Sequence, residues 1–273
     1  ALSGDAGLGQ IRDLIVSGDL PDPAEYPGSV EETDITVDYA KHCLSFIQTE
    51  DLRPLKIVID AGNGMAGKMV PPIFEHLPFE YVPMYFELEG SFPNHPPNPI
   101  EPENVRELQE RVVAEGADFG VAFDGDADRC FIIDENGTTI SGDLAAALIA
   151  KNVLEKEPGA TILYSAVCSK AFPELVEREG GKAIRTKAGH SIIKPQMRKH
   201  DAAFGGEHSA HFYFRDNYFA DSGIIAMLTI AELVGRQEEP VSRLLSPIDP
   251  YVRSGEINSE VEDQKATLGK VED

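Results

Sequence analysis

The feature that most constrains the fold of this sequence is the alternation of short apolar segments with amphipathic segments after residue 55. The apolar segments have the length and β-branched or aromatic content of strands, and helix-length segments separate them. This order is typical of βαβ units with parallel strands. The predicted strands are KIVID, FEYVPMYF, DFGVAF, CFIID, ATILYS, KAIRT and AAFGG, with helices near 68–77, 103–116, 144–157, 170–179, 192–199 and 222–234.

The pattern occurs twice, and the first set of segments ends near Gly142. The sequence therefore predicts an α/β fold made of two related α/β domains with mixed, mostly parallel sheets. We place these domains at 35–140 and 141–247, with a tail and linker at 1–34 and a separate final segment at 248–273.

Both ends predict that the chain is a piece of a longer protein. Near the start, Leu8, Ile11, Leu14 and Ile15 have helical spacing, and a lone helix of this length is marginal in water. We expect its apolar face to pack on something upstream. A linker-like stretch, PDPAEYPGSVEET, follows, and the segment that begins EINSEV is strand-like but stops among charges.

The charge balance excludes several classes of partner. The chain has 47 acidic and 24 basic side chains, a net charge of −23, whereas nucleic acids and anionic membranes require clustered basic residues. No segment has the ~20 apolar residues of a membrane span, and no signal peptide opens the chain. The three cysteines, Cys43, Cys130 and Cys168, are far apart in the sequence and odd in number, so we expect reduced thiols and no disulfide framework. We expect a cytoplasmic enzyme that binds no nucleic acid and no membrane.

Three aspartates at alternate positions form the strongest chemical motif. Asp124, Asp126 and Asp128 follow a predicted strand in the sequence DGDADR. Carboxylate oxygens suit Mg²⁺, and three such groups would repel one another without a cation. Arg129 completes the motif with a guanidinium that suits phosphate. The same spacing with Glu135 matches an EF-hand, which leaves a calcium-binding module as an alternative, although Arg129 replaces the required glycine.

A glycine pattern suggests a second alternative. DAGNGMAG contains G-x-G-x-x-G from Gly62 to Gly67, with Glu87 about 20 residues further on, as in dinucleotide-binding proteins. Asp60 places a carboxylate beside the supposed phosphate site, and Pro71–Pro72 is expected to interrupt the following helix. A tight turn that needs glycine backbone angles is at least as good an interpretation as a dinucleotide-binding oxidoreductase.

Two further loops carry polar groups. In GGEHSAHF, Glu207 and Ser209 have the chemistry to bind sugar hydroxyls, and His208 or His211 could move protons near neutral pH.

The other loop, KAGHS, brings Lys187 and His190 to the start of a predicted helix, where a phosphate could bind. An ordinary helix cap beside a basic residue explains this loop equally well.

Taken together, these segments resemble the α-D-phosphohexomutase family, in particular bacterial phosphomannomutases and phosphoglucomutases. The matching stretches are, in order, DAGNGMAG, SFPNHPPNPIEPEN, AFDGDADR, KAGHS and GEHSAH. Members of this family have four domains, of which the first three are related α/β units. The resemblance implies that this chain contains the end of domain 1, domains 2 and 3, and the start of domain 4.

The resemblance also implies a reaction and a set of residues. Members interconvert hexose 1-phosphates and hexose 6-phosphates, of mannose or glucose, through a phosphoserine enzyme and a bisphosphate sugar. The implied roles are Mg²⁺ binding by Asp124, Asp126 and Asp128, stabilisation of the transferred group by Arg129, proton transfer by His211, and substrate binding by Glu207, Ser209, Lys187 and His190.

Some parts of the family pattern are absent from the sequence. The T-x-S-H-N-P-type loop that carries the phosphoserine does not occur, so we expect the chain to fold but to be inactive without the missing domains 1 and 4. Val167 stands where members often carry lysine, and Lys170 is the candidate replacement.

Overall fold

A computed structural model describes residues 7–26, 28–252 and 260–272. The helices are α1 (Leu8–Ser17), α2 (Thr36–Leu44), α3 (Ala66–Phe74), α4 (Pro102–Glu115), α5 (Gly142–Lys156), α6 (Ala171–Arg178), α7 (His190–His200), α8 (Gly223–Gly235), α9 (Val241–Leu245) and α10 (Gln264–Glu272). The strands are β1 (Lys56–Asp60), β2 (Glu80–Met84), β3 (Phe119–Phe123), β4 (Cys130–Asp134), β5 (Thr139–Ile140), β6 (Thr161–Ser165), β7 (Lys182–Thr186), β8 (Phe204–Gly206), β9 (Phe212–Phe214) and β10 (Ala220–Asp221).

The strands form two five-stranded sheets with one topology. The first sheet has the order β2-β1-β3-β4-β5, and the second has the order β10-β9-β8-β6-β7. In each, the first three strands along the chain are parallel and the last two are antiparallel. The prediction of two related α/β domains with mixed sheets is confirmed.

The two sheets share a core in which α5 and α8 are central. Every residue of α8 is buried, and α5 is buried over most of its length. Because burial surrounds α8, its sequence is apolar almost all round and lacks the polar stripe of a surface helix, whereas α5 turns polar in its last two turns. The one charged group in α8, Glu232, is fully buried and accepts from Lys156 Nζ at 2.5 Å and from Arg236 Nη2 at 2.5 Å. The pair with Lys156 holds α8 against α5, whereas the pair with Arg236 lies within the end of α8.

Glycines allow backbones of the two sheets' loops to touch. A Cβ on Gly142, the first residue of α5, would lie 2.3 Å from the carbonyl oxygen of His208. A Cβ on Gly223, the first residue of α8, would lie 2.6 Å from the carbonyl oxygen of Arg129. Neither neighbour is a flexible side chain, so only glycine fits at these positions.

Most predicted elements occur within a few residues of their expected bounds, but the helices α2, α9 and α10 were missed. Helix α2 is preceded by Asp34, whose Oδ1 accepts from Thr36 N at 2.9 Å. It buries only Ala40 and Cys43, a narrow apolar stripe that is hard to recognise in sequence.

The expectation that Pro71–Pro72 interrupts a helix is wrong. α3 continues through both prolines. It buries Val70, Ile73 and Phe74, and each side chain of this size contributes about 1.5–3 kcal/mol, which offsets the lost backbone hydrogen bonds.

The terminal predictions have mixed outcomes. α1 forms where its periodicity indicated, and its apolar residues are exposed, with Ile15 at 63%. The strand-like segment that begins at Glu256 lies largely outside the described residues. Among the helices that the structure describes, none is both long and apolar enough to cross a bilayer.

The contact between Gly142 and His208 generates the first prediction. Gly142→Ala destabilises the chain by about 1–3 kcal/mol in urea unfolding, because the new methyl group forces two backbones apart. A loss of stability is informative, because replacing glycine by alanine in a helix otherwise stabilises it by about 1 kcal/mol.

The matched control is Gly90→Ala, because a Cβ on Gly90 would have nothing within 4 Å. A Gly142→Ala variant as stable as the wild type would show that the two loops are not in contact.

Candidate functional site: a carboxylate cluster between two sheets

The aspartate motif forms the turn between β3 and β4. Asp124 is 4% exposed, Asp128 is half-buried and Asp126 is exposed. One carboxylate oxygen from each of these three residues lies within 4.8 Å of the others. The cluster therefore presents hard oxygen ligands at the carboxyl end of a parallel strand, as expected for a divalent cation site.

Backbone hydrogen bonds shape this turn. Ala127 N donates to Asp124 O at 3.2 Å, and Ala127 has a positive φ of 61°. Gly125 O accepts from Met65 N at 2.9 Å, and a Cβ on Gly64 would lie 2.6 Å from the same oxygen. The glycine turn after β1 thus supports the aspartate turn after β3.

Arg129 is fixed on two sides. Its Nε donates to Asp124 Oδ2 at 2.8 Å, and its Nη1 donates to Asn98 Oδ1 at 3.2 Å. Within the described chain, Nη2 has no hydrogen-bond partner. The guanidinium is therefore oriented at the cluster with one edge available to an anion.

The cluster is electrostatically strained without a cation. Burial, together with the charges of Asp124 and Asp126, raises the pKa of Asp128 to about 7. A divalent cation among these oxygens would take the place of the proton that Asp128 otherwise retains, and it would neutralise the repulsion between the carboxylates. The residues present therefore fit Mg²⁺.

The GEHSAH motif forms the equivalent turn of the second sheet, between β8 and β9. Ala210 N donates to Glu207 O at 3.1 Å, and Ala210 has a positive φ of 63°. Ser209 Oγ lies 2.9 Å from His211 Nδ1. Both predicted motifs thus occupy the turn after the third strand of their sheet.

The two turns meet across the domain boundary. Arg129 and His211 form an isolated antiparallel bridge, and Cys130 N donates to Ala210 O at 3.3 Å. His211 Nε2 lies 3.6 Å from Asp128 Oδ1. Residues that the sequence assigned to metal binding and to proton transfer are therefore neighbours in space.

Burial keeps the imidazole of His211 neutral. Burial lowers its pKa below the usual range, although the negative charges of Glu207 and Asp221 oppose this shift. A neutral imidazole at pH 7 can accept a proton.

Glu207, the predicted ligand of sugar hydroxyls, is almost fully buried. It is 3% exposed, and its oxygens accept from Gly189 N at 2.8 Å and from Tyr213 Oη at 2.6 Å. The first bond ties the KAGHS loop to the GEHSAH turn. Lys187 and His190 flank that bond and are exposed.

After strand β6, Val167 is 67% exposed, and Lys170 is exposed at the start of α6. Replacement of a family lysine by Lys170 stays a prediction.

Sequence reasoning assigned no role to three residues at the site, which are Asp221, Lys194 and the Asn98 that orients Arg129. Asp221, in β10, can join Asp128 and His211 around a cation. Lys194 pairs with Asp221 at 2.8 Å and lies over the ring of Tyr213, 5.6 Å from its centroid. Lys194 follows KAGHS by one helical turn, and that spacing was the available signal.

The structure does not favour either alternative function. At the EF-hand's twelfth position, Glu135 hydrogen-bonds Ser242 instead of facing the cluster, and β4 replaces the exiting helix. In the glycine pattern, a Cβ on Gly67 would meet Phe86 O at 2.2 Å. Close backbone packing explains Gly64 and Gly67, and a positive φ of 52° explains Gly62.

Comparison with known families identifies the fold. The profile described as phosphoglucomutase/phosphomannomutase, alpha/beta/alpha domain II, matches residues 37–137, and that for domain III matches residues 141–251. The chain belongs to the phosphoglucomutase/phosphomannomutase family. Curated relatives that the chain matches are described as phosphohexose mutases and phosphomannomutases.

Three relatives illustrate the match. A phosphohexose mutase of Xanthomonas campestris is 41% identical over 99% of this chain, which spans 60% of its length. The crystal structure of a family protein from Burkholderia thailandensis, 34% identical, has a TM-score of 0.81 over 89% of this chain and 52% of its own. N-acetylphosphoglucosamine mutase of Aspergillus fumigatus, solved with GlcNAc-6P and magnesium, is 14% identical with a TM-score of 0.56 over 73% of this chain and 50% of its own.

The raised pKa of Asp128 predicts a pH dependence of stability. Without a cation, the folded state takes up a proton at Asp128 that the unfolded state, with a pKa of about 3.9, does not hold. Stability in EDTA therefore falls as pH rises from about 4 to about 7, by on the order of 1 kcal/mol after solvent screening.

Urea unfolding of Asp128→Asn isolates this contribution, because the free energy of unfolding of that variant lacks the pH dependence that the Asp128 carboxyl causes. The control Glu110→Gln, at an exposed position of α4, retains it. Equal pH slopes in the wild type and in Asp128→Asn would contradict the strained cluster.

Proposed function

We propose that the chain forms the metal-binding and sugar-binding part of a phosphomannomutase/phosphoglucomutase. The whole enzyme would interconvert hexose 1-phosphate and hexose 6-phosphate of mannose or glucose through a phosphoserine and a bisphosphate sugar. The observation that carries this proposal is the contact between the aspartate turn and the GEHSAH turn through Arg129 and His211. A sugar phosphate held by one turn is then within reach of the other.

Asp124, Asp126 and Asp128 are the proposed ligands of Mg²⁺. When bound, the cation would supply positive charge where negative charge spreads during phosphoryl transfer. Arg129 is the proposed second source of positive charge. Its guanidinium is oriented by Asp124 and Asn98, and its remaining N–H groups could donate to a phosphate oxygen. Phosphoryl transfer depends mainly on positioning and charge neutralisation, which these four residues would provide.

His211 is the proposed proton acceptor for the attacking sugar hydroxyl. Its neutral imidazole is oriented by Ser209 Oγ at Nδ1, which leaves Nε2 toward Asp128. Ser209 and Glu207 are the proposed ligands of sugar hydroxyls. Glu207 would bind through lone pairs not used by Gly189 and Tyr213, since each carboxylate oxygen accepts more than one hydrogen bond.

Lys187 and His190 are the proposed contacts to substrate phosphate or sugar, because their loop is tied to Glu207 and both side chains are exposed. We divide the chain into the end of domain 1 (1–34), domain 2 (35–140), domain 3 (141–247) and the start of domain 4 (248–273). The proposed partners, besides substrate, are the remaining parts of domains 1 and 4.

Calorimetric titration tests the cation site. The chain binds Mg²⁺, and Asp126→Asn weakens binding by about tenfold or more, because one of three charged ligands is lost. Glu135→Gln leaves the affinity unchanged, since Glu135 bonds Ser242. Loss of binding in Glu135→Gln, with preference for Ca²⁺, would support an EF-hand-like site instead.

Mutase assays test the reaction. We expect the full-length gene product to convert mannose 1-phosphate and glucose 1-phosphate, and Asp126→Ala to lower kcat by about 10²–10³. The isolated chain should give no turnover, because its sequence lacks the T-x-S-H-N-P-type donor loop. Turnover by the isolated chain that Asp126→Ala abolishes would show that the nucleophile lies within it.

A further inference from the structure

One buried ion pair near the cluster has no part in the proposed chemistry. Asp60, at the end of β1, is 1% exposed at its side chain, and its Oδ2 lies 2.9 Å from His95 Nε2. The other oxygen accepts from Gly62 N at 2.8 Å. His95 belongs to the SFPNHPPNPIEPEN stretch, which no proposed catalytic role explains.

Both ring nitrogens of His95 face acceptors. Nε2 faces the Asp60 carboxylate, and Nδ1 lies 2.9 Å from the carbonyl oxygen of Pro96. A neutral imidazole has one N–H, so one of these contacts would set two lone pairs against each other. The geometry therefore requires His95 to carry a proton on each nitrogen.

The protonated ring is connected to the active-site arginine. Pro96 O accepts from His95 Nδ1 and also from Asn98 N, the latter at 2.8 Å. Asn98 O accepts from Asn104 Nδ2 at 2.9 Å, and Asn98 Oδ1 accepts from Arg129 Nη1. Hydrogen bonds thus link Asp60 to the backbone of Asn98 through His95 and Pro96, and the side chain of the same Asn98 holds Arg129.

We propose that His95 and Asn98 are positioning residues, in which the His95 imidazolium, held by Asp60, keeps Asn98 in place to orient the Arg129 guanidinium. The value of this positioning for phosphoryl transfer rests on the proposed function. The orientation itself is a property of the chain and can be measured without it. Outer hydrogen-bond partners of this kind commonly change ligand affinity by about 10–100-fold.

The charges around His95 determine its pH dependence. The hydrogen bond to Asp60 raises the pKa of His95, and the carbonyl of Pro96 and the charge of Glu107 act in the same direction, against burial. Tyr85 packs edge-on against the ring, 5.3 Å between centroids, and donates to Glu107. The positioning is therefore present where His95 is protonated and is lost as pH rises through the raised pKa.

Side-chain NMR of the ¹⁵N-labelled chain tests this directly. We expect both ring nitrogens of His95 to be protonated at pH 7. The Arg129 Nε–Hε resonance, assigned with Arg129→Lys, should shift as His95 loses its proton. In His95→Gln that pH dependence disappears, and in Asn98→Ala the Arg129 resonance moves while His95 stays protonated. His76→Gln, at an exposed position of the same domain, changes neither signal.

A neutral His95 at pH 7, or an Arg129 resonance unaffected by Asn98→Ala, would overturn the proposal, and the second result applies even if His95→Gln fails to fold. Calorimetry with glucose 1,6-bisphosphate and Mg²⁺ separates the two proposals. His95→Gln should weaken binding about tenfold at pH 7. Suppose that Arg129→Lys leaves the affinity for the bisphosphate unchanged, while the Arg129 resonance still depends on His95 and Asn98. The proposed role of Arg129 in binding phosphate is then wrong, whereas the proposal that His95 and Asn98 orient Arg129 is retained.

Discussion

The backbone contact between the aspartate turn and the GEHSAH turn is the constraint on which the site depends. Arg129 pairs with His211, Cys130 N donates to Ala210 O, and Gly223 N donates to Ala127 O at 3.0 Å. Backbone groups cannot adjust as long side chains do, so these bonds fix the two sheets relative to each other. The glycines that start α5 and α8 are needed because these turns leave no room for a Cβ.

The repeated topology explains why these two turns meet. Each follows the third strand of a sheet with the same strand order, and each contains an alanine with a positive φ. One backbone solution is thus used twice with different side chains. In the first copy it gathers carboxylates and in the second it presents a hydroxyl and an imidazole, so two chemistries meet where the turns are in contact.

Charge sets the need for a cation. The carboxylates of the region are Asp124, Asp126, Asp128, Glu207 and Asp221, whereas its fixed cations are Arg129 and Lys194. Burial, together with the negative charges of Asp124, Asp126 and Asp221, raises the pKa of Asp128. A divalent cation removes most of that excess and leaves a site that can accept a phosphate.

Sequence alone gave the two-domain architecture and the main motifs, because strand–helix alternation and the DGDADR spacing are local patterns. It could not give Asp221, Lys194 or Asn98, whose roles arise from contacts between residues far apart in the chain. It also misjudged Pro71–Pro72, since tertiary burial overrides a local helix-breaking preference. The burial of Glu207 by Tyr213 was equally invisible, because it depends on the pairing of β8 with β9.

The central claim is that a divalent cation binds between the two turns on the three aspartates. Anomalous diffraction from crystals of the chain grown with Mn²⁺ tests this most directly. The account predicts one strong peak in contact with carboxylate oxygens of Asp124, Asp126 and Asp128. A peak held by other residues, with these three side chains pointing apart, would contradict it.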